Sequence, residues 1–105
     1  MPDINAFTPY SNNTVNLTAT TSSGNVALPT RSSIGGNETV DVYNSGLVDV
    51  FIEFGTTSAI TASTATSMPI PPGVKTLGCP SSITYIAGIT ASGSATVYFS
   101  LGKGI

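Results

Sequence analysis

Along this chain apolar residues recur at every second position and nowhere sustain a helical spacing, which excludes most architectures at once. Val15, Leu17 and Ala19 alternate with Asn16, Thr18 and Thr20, and Ala95, Val97, Phe99 and Leu101 alternate with Thr96, Tyr98 and Ser100. Side chains of a strand point to opposite faces in turn, so each run has one apolar face and one polar face. No segment carries apolar residues at i, i+3, i+4 and i+7 over a length that would pack as a helix. The densest run is Leu47–Phe54, closed by Gly55. Its period places Val48, Val50, Ile52 and Phe54 on one face and Leu47, Asp49, Phe51 and Glu53 on the other, as in a central strand. Residues 39–43 alternate in the same way, and Asn44-Ser45-Gly46 between the two runs has the chemistry of a short turn. The pattern predicts a hairpin here, serving as the nucleus of the fold.

Other strands follow from the same period and from the Gly, Pro, Ser and Asn clusters that separate them. Residues 14–20 read as a strand, and residues 25–28 as a short one stopped by Pro29. Residues 29–38 form a loop with Gly35-Gly36 at its tight point, and no helix follows that could make it a phosphate cradle. Residues 56–67 are Ser, Thr and Ala-rich, uncharged, and predicted to be a long surface loop with one helical turn near Ala59–Ala62. Pro71-Pro72-Gly73 suits a tight turn into the strand 74–77. Gly78-Cys79-Pro80-Ser81 breaks the chain before the strands 82–89 and 94–101, and residues 102–105 are left as a tail. Seven or eight short strands give an all-β fold, an antiparallel β-sandwich of jelly-roll or Greek-key type. The chain divides into an extended N-terminal arm, residues 1–13, whose large side chains are Ile4, Phe7 and Tyr10, and one sandwich domain, residues 14–105.

Composition narrows the function. Only 8% of the 105 residues are charged, against roughly 25% in an ordinary soluble domain. Ser and Thr supply 30 residues, so the core is thin and much uncharged surface remains to be covered by partners. The net charge is -2 and the three basic residues, Arg31, Lys75 and Lys103, are scattered. A phosphate backbone requires clustered cations, so direct binding of nucleic acid is not expected. No apolar run reaches the ~18 residues of a membrane helix, and the N-terminus lacks the basic start and apolar stretch of a signal peptide. The chain is therefore expected to be made in the cytoplasm and to stay soluble or join an assembly. Its one cysteine, Cys79, cannot form an intrachain disulfide.

Groups for catalysis are sparse: no His, one Cys and five carboxylates, Asp3, Glu38, Asp41, Asp49 and Glu53. Asp49 and Glu53 would share a strand face about 13 Å apart, beyond the ~5 to 9.5 Å of a glycosidase pair. Asp41 near either of them lacks the Asp/Asn-rich loop of a calcium site. The reading is of a protein that is not an enzyme, with no cofactor and no metal.

Several stretches carry a resemblance to a known family: Thr14-Val15-Asn16-Leu17-Thr18-Ala19-Thr20, Val40-Asp41-Val42-Tyr43-Asn44-Ser45-Gly46, Val50-Phe51-Ile52-Glu53-Phe54-Gly55, Met68-Pro69-Ile70-Pro71-Pro72-Gly73 and Thr96-Val97-Tyr98-Phe99-Ser100-Leu101-Gly102-Lys103-Gly104. Together they make the sequence resemble small tailed-bacteriophage virion proteins of the head-decoration, or capsid cement, kind. The resemblance implies a β-sandwich knob, commonly a homotrimer, seated on the outer capsid surface of the virion where it clamps neighbouring subunits of the major capsid protein lattice. Under that reading Leu47, Phe51, Met68 and Ile70 are the candidate subunit contacts, and Ile4, Phe7 and Tyr10 of the arm the candidate capsid contacts. The alternative is a receptor- or glycan-binding sandwich of a head or tail fibre, with Tyr43, Tyr85 and Tyr98 as candidate sugar platforms. A tail or connector component would differ from the first reading only in its place in the virion.

Overall fold

The structure, a computed structural model, describes residues 8–29, 38–80 and 82–103. Its elements are eight strands: β1 (Thr8–Ala19), β2 (Gly24–Ala27), β3 (Glu38–Asn44), β4 (Val50–Gly55), β5 (Met68–Ile70), β6 (Gly73–Gly78), β7 (Tyr85–Thr90) and β8 (Ala95–Lys103). Two four-stranded antiparallel sheets result. One, sheet A, has the order β1-β8-β3-β6 and the other, sheet B, the order β2-β7-β4-β5.

That order is the signature of a jelly roll. The chain pairs like one long hairpin, β1 with β8, β2 with β7, β3 with β6 and β4 with β5. Alternate pairs then go to alternate sheets, stitched by β3–β8 in one and β4–β7 in the other. Of the two sandwich types that the strand pattern allows, the fold is thus the jelly roll.

The inward faces are those the period of two selects. Val40 and Val42 of β3 and Val97, Phe99 and Leu101 of β8 meet Val50 and Ile52 of β4 and Ile86 of β7 in one buried cluster. Phe99 lies between Val15 and Val42 in register and is the largest fully buried side chain. Each such side chain removed from water contributes about 1.5–3 kcal/mol. Between the layers, a Cβ on Gly88 of β7 would lie 2.9 Å from the Leu17 Cδ2 methyl, so any larger residue there requires the Leu17 side chain to shift.

The structure corrects three expectations and adds one strand. Residues 39–43 and 47–54 do not form a hairpin, because β3 and β4 belong to different sheets and each already has two other neighbours. Asn44 is the reason: its side chain turns inward, where its amide donates to Val48 O at 2.8 Å and Ile70 O at 2.9 Å and its oxygen accepts from Gly46 N at 2.9 Å. It pins residues 45–49 as a crossing between sheets, and strand pairing begins only at Val50. Second, Met68–Ile70 is a strand, placed at the edge of sheet B where Pro69 leaves no interior ladder bond unmade. Third, residues 56–67 contain turns, without a helical one near Ala59–Ala62. Fourth, the sheet reaches into both presumed tails. Thr8 and Pro9 pair with Lys103 and Gly102, and the register shifts between Pro9 and Thr14. Gly73 has φ of +118°, as its turn predicts. The Gly35-Gly36 turn falls outside the described residues.

Candidate interaction surface

A jelly roll has two outer faces, and here they are treated differently. Sheet B is roofed by its own chain. Ala87 points outward from β7, yet it is 0% exposed. Its register neighbours are Asn25 and Glu53, and both are tied to the segment 56–67. The Asn25 amide donates to Ser58 O at 2.8 Å, and Ser67 Oγ donates to Glu53 Oε1 at 2.8 Å. Ala62 N donates to Ser23 Oγ at 2.8 Å, which carries the segment across to the β2 edge. The Ser, Thr and Ala content of this stretch suits the task, since small side chains let the backbone lie close and hydroxyls satisfy it.

Among the described residues no such cover lies over the Tyr43–Tyr98 row of sheet A, although Thr39 and Gly102, of the same outward parity at the far end of the face, are buried. One row across its outer face reads Asn16, Tyr98, Tyr43, Val74 on β1, β8, β3 and β6. Tyr43, Tyr98 and Val74 are 45%, 39% and 64% exposed. The two rings form an offset stack, with centroids 6.0 Å apart and planes 20° from parallel. The next row is Thr14, Ser100, Asp41, Thr76. A Thr14–Ser100 hydroxyl pair at 2.9 Å and a Thr76 Oγ1 bond to Asp41 Oδ1 at 3.0 Å link it. On the other side of the rings Thr18 and Thr96 are paired at 3.3 Å. Lys75 and Lys103 lie in register with Val42 and with Glu38 and so have the parity of the inner face.

At the β5 and β6 edges the two sheets leave a groove of about 380 Å³ lined by Ile52, Glu53, Phe54, Thr66, Met68, Leu77 and Gly78. At the other end of the sandwich Leu47, on the crossing between β3 and β4, is 94% exposed.

Of the predicted contact residues that fall among the described ones, Phe51, Met68 and Ile70 sit on the paired strands β4 and β5, and Leu47 lies apart from them. Leu47 is out in solvent and Met68 borders the groove. Phe51 is half-buried on the outer face of sheet B beside Pro69 and Ile89 in register. Ile70 is a correction: it is 0% exposed, spent on the protein's own core, and has no surface for a partner. Tyr10 falls within β1, whereas Ile4 and Phe7 lie outside the described residues. Of the three tyrosines considered for sugar, Tyr43 and Tyr98 form the stack, while Tyr85 is half-buried on the other sheet. Val74, Asn16 and Thr76 were not singled out from sequence, since their place beside the rings depends on a register between strands distant in the chain.

Cys79 is buried at 0%, and Asp49 precedes β4 instead of sharing a strand face with Glu53. Among the described residues no three His, Cys, Asp or Glu side chains are grouped so as to hold a metal ion, and no helix is long and apolar enough to cross a membrane. What the described residues define is an eight-stranded jelly-roll domain whose sheet B is roofed by its own chain and whose sheet A exposes a tyrosine pair. No family model, curated protein or solved structure matches the chain.

Proposed function

We propose that this chain is a structural virion protein, a decoration or cement protein that binds the outer surface of a phage capsid as an oligomer, with a trimer expected, and ties neighbouring coat subunits together. The observation that carries the reading is a pair of separated exposed features, the single side chain of Leu47 and a partly apolar groove. Leu47 stands beyond the Asn44 end of β3, and the groove along Met68 and Leu77 lies towards the Thr39 end, where Gly78 is the register partner. The length of β3 puts them about 15 Å or more apart. A clamp must touch at least two neighbours at once, and two contact points on a stiff sandwich meet that need. The jelly roll, a fold recurrent in capsid and lectin domains, and a surface with few charges to desolvate are in keeping with it.

The test is occupancy and rupture. The protein should cosediment with filled heads, and decorated particles should withstand heat or osmotic shock better than bare ones. Leu47→Asp and Leu77→Asp should each lower occupancy about tenfold, the effect of a contact worth ~1.4 kcal/mol. Equal rupture thresholds at full occupancy would overturn the clamp.

A further inference from the structure

The exposed tyrosine row of sheet A lies outside the two contact points proposed for coat binding. We propose that it is a binding site for a neutral glycan, with Tyr43 and Tyr98 as the stacking platform and the surrounding hydroxyl, amide and carboxylate groups as its hydrogen-bonding rim.

Cross-strand aromatic pairs also stabilise sheets with no ligand, by about 0.2–1 kcal/mol, so the pair alone decides nothing. Its surroundings do. The face places Asn16 beside Tyr98, Asp41 with Ser100 and Thr76 in the row on one side, and Thr18 with Thr96 on the other. These groups both donate and accept. A sugar ring presents the same combination in complement, a patch of C–H bonds on one face and hydroxyls around its edge. Its C–H hydrogens, slightly positive, lie against the negative face of an aromatic ring, while the hydroxyls find the rim.

Size and charge separate this ligand from the competitors. With about 200 Å² for a tyrosine, exposures of 45% and 39% leave roughly 170 Å² of exposed tyrosine surface, an area on the scale of one sugar ring. A stable protein interface takes about 800 Å² from each partner and is apolar at its centre, whereas here the apolar strip is a single row, Tyr98, Tyr43 and Val74, with polar rows on either side of it. Nucleic-acid bases stack on tyrosine too, but single strands also require a cationic track, and the described outer face of sheet A bears no Lys or Arg. Asp41 disfavours acidic sugars, which leaves neutral hexose and N-acetylhexosamine chains. A single shallow site of this kind holds its ligand at millimolar strength, and display of many copies on one particle converts that into firm attachment through avidity.

Saturation-transfer NMR with the full chain and a panel of neutral oligosaccharides tests the site. Binding should appear at about 10 mM ligand or below, with transfer to sugar C–H protons. Tyr98→Ala and Tyr43→Ala should each weaken it about tenfold, and Tyr98→Phe, which keeps the ring, should retain most of it. Asp41→Asn leaves the platform in place and should weaken binding about threefold, which preserves the test if an alanine variant fails to fold. No transfer from any neutral glycan, or transfer indifferent to all of these substitutions, overturns the proposal. So does dissociation of the oligomer, or loss of capsid binding, in folded tyrosine variants that bind no sugar, because the face would then belong to a protein partner. Glycan binding by a chain that ignores capsids sustains this site while removing the cement function, so the two proposals fail separately.

Discussion

Asn44 holds the crossing between the two sheets through its side chain. It is 1% exposed, and its amide serves three backbone groups, the carbonyls of Val48 and Ile70 and the amide of Gly46. Asn44→Ala leaves those buried groups without partners, and each such loss costs about 1–3 kcal/mol before relaxation. A total near 3 kcal/mol is expected, read as a fall in the urea midpoint with the slope unchanged. Two residues on, Gly46 is fixed by space: a Cβ there would collide with the Ala95 side chain and lie 2.9 Å from Ala95 Cα. Gly46→Ala should therefore destabilise by about 1–3 kcal/mol, the cost of overpacking. Gly78→Ala should stay within about 0.5 kcal/mol, since nothing stands within 4 Å of its missing Cβ. Equal midpoints for the two glycine variants would show that the crossing is looser than its contacts suggest.

The segment 56–67 behaves as an element although it has no regular structure. Ser67 is its clasp, because its hydroxyl accepts from Ser63 N at 2.9 Å and donates to Glu53. Ser67→Ala should lower global stability by only about 1 kcal/mol while exposing the roof. Hydrogen exchange at Ser63 and proteolysis within 56–67 should accelerate well beyond what the midpoint shift explains, and parallel changes in both would deny the segment an independent opening. The sequence makes the strands of both sheets legible and this roof illegible. Inward sets such as Ala95, Val97, Phe99 and Leu101 are visible because one buried face writes a period of two into the chain. Ser67 and Ser58 follow no period, since they bond to groups brought near by the fold. Asn44-Ser45-Gly46 misled for the same reason: local turn chemistry suggests a hairpin, and the decisive partner, Ile70 O, lies 26 residues away. The exposed tyrosine row was half legible. Tyr43 and Tyr98 have outward parity in their own strands, but only the β3–β8 register makes them neighbours.

At the scale of the whole molecule the jelly roll joins its ends, with β1 along β8, so most contacts link residues far apart in sequence. Such topologies fold slowly, in milliseconds to seconds or longer, and little of the sheet persists once the ladder opens. Cys79 reports on this directly. The single thiol of the chain is 0% exposed within the central cluster, and its amide donates to Glu38 O at 2.8 Å where β6 gives way to the next loop. In native buffer a thiol reagent should modify it only as fast as the sandwich opens, and the rate should rise with urea in step with global unfolding. Modification within the mixing time would instead show that the β6 edge detaches alone. The same measurement reaches the proposed function, because Leu77 and Gly78, which line the groove, immediately precede Cys79. A coat subunit seated in that groove stabilises the closed form by mass action. Labelling on decorated particles should slow in proportion to occupancy and recover in Leu77→Asp, whereas an unchanged rate on fully occupied particles would place the coat contact elsewhere on the domain.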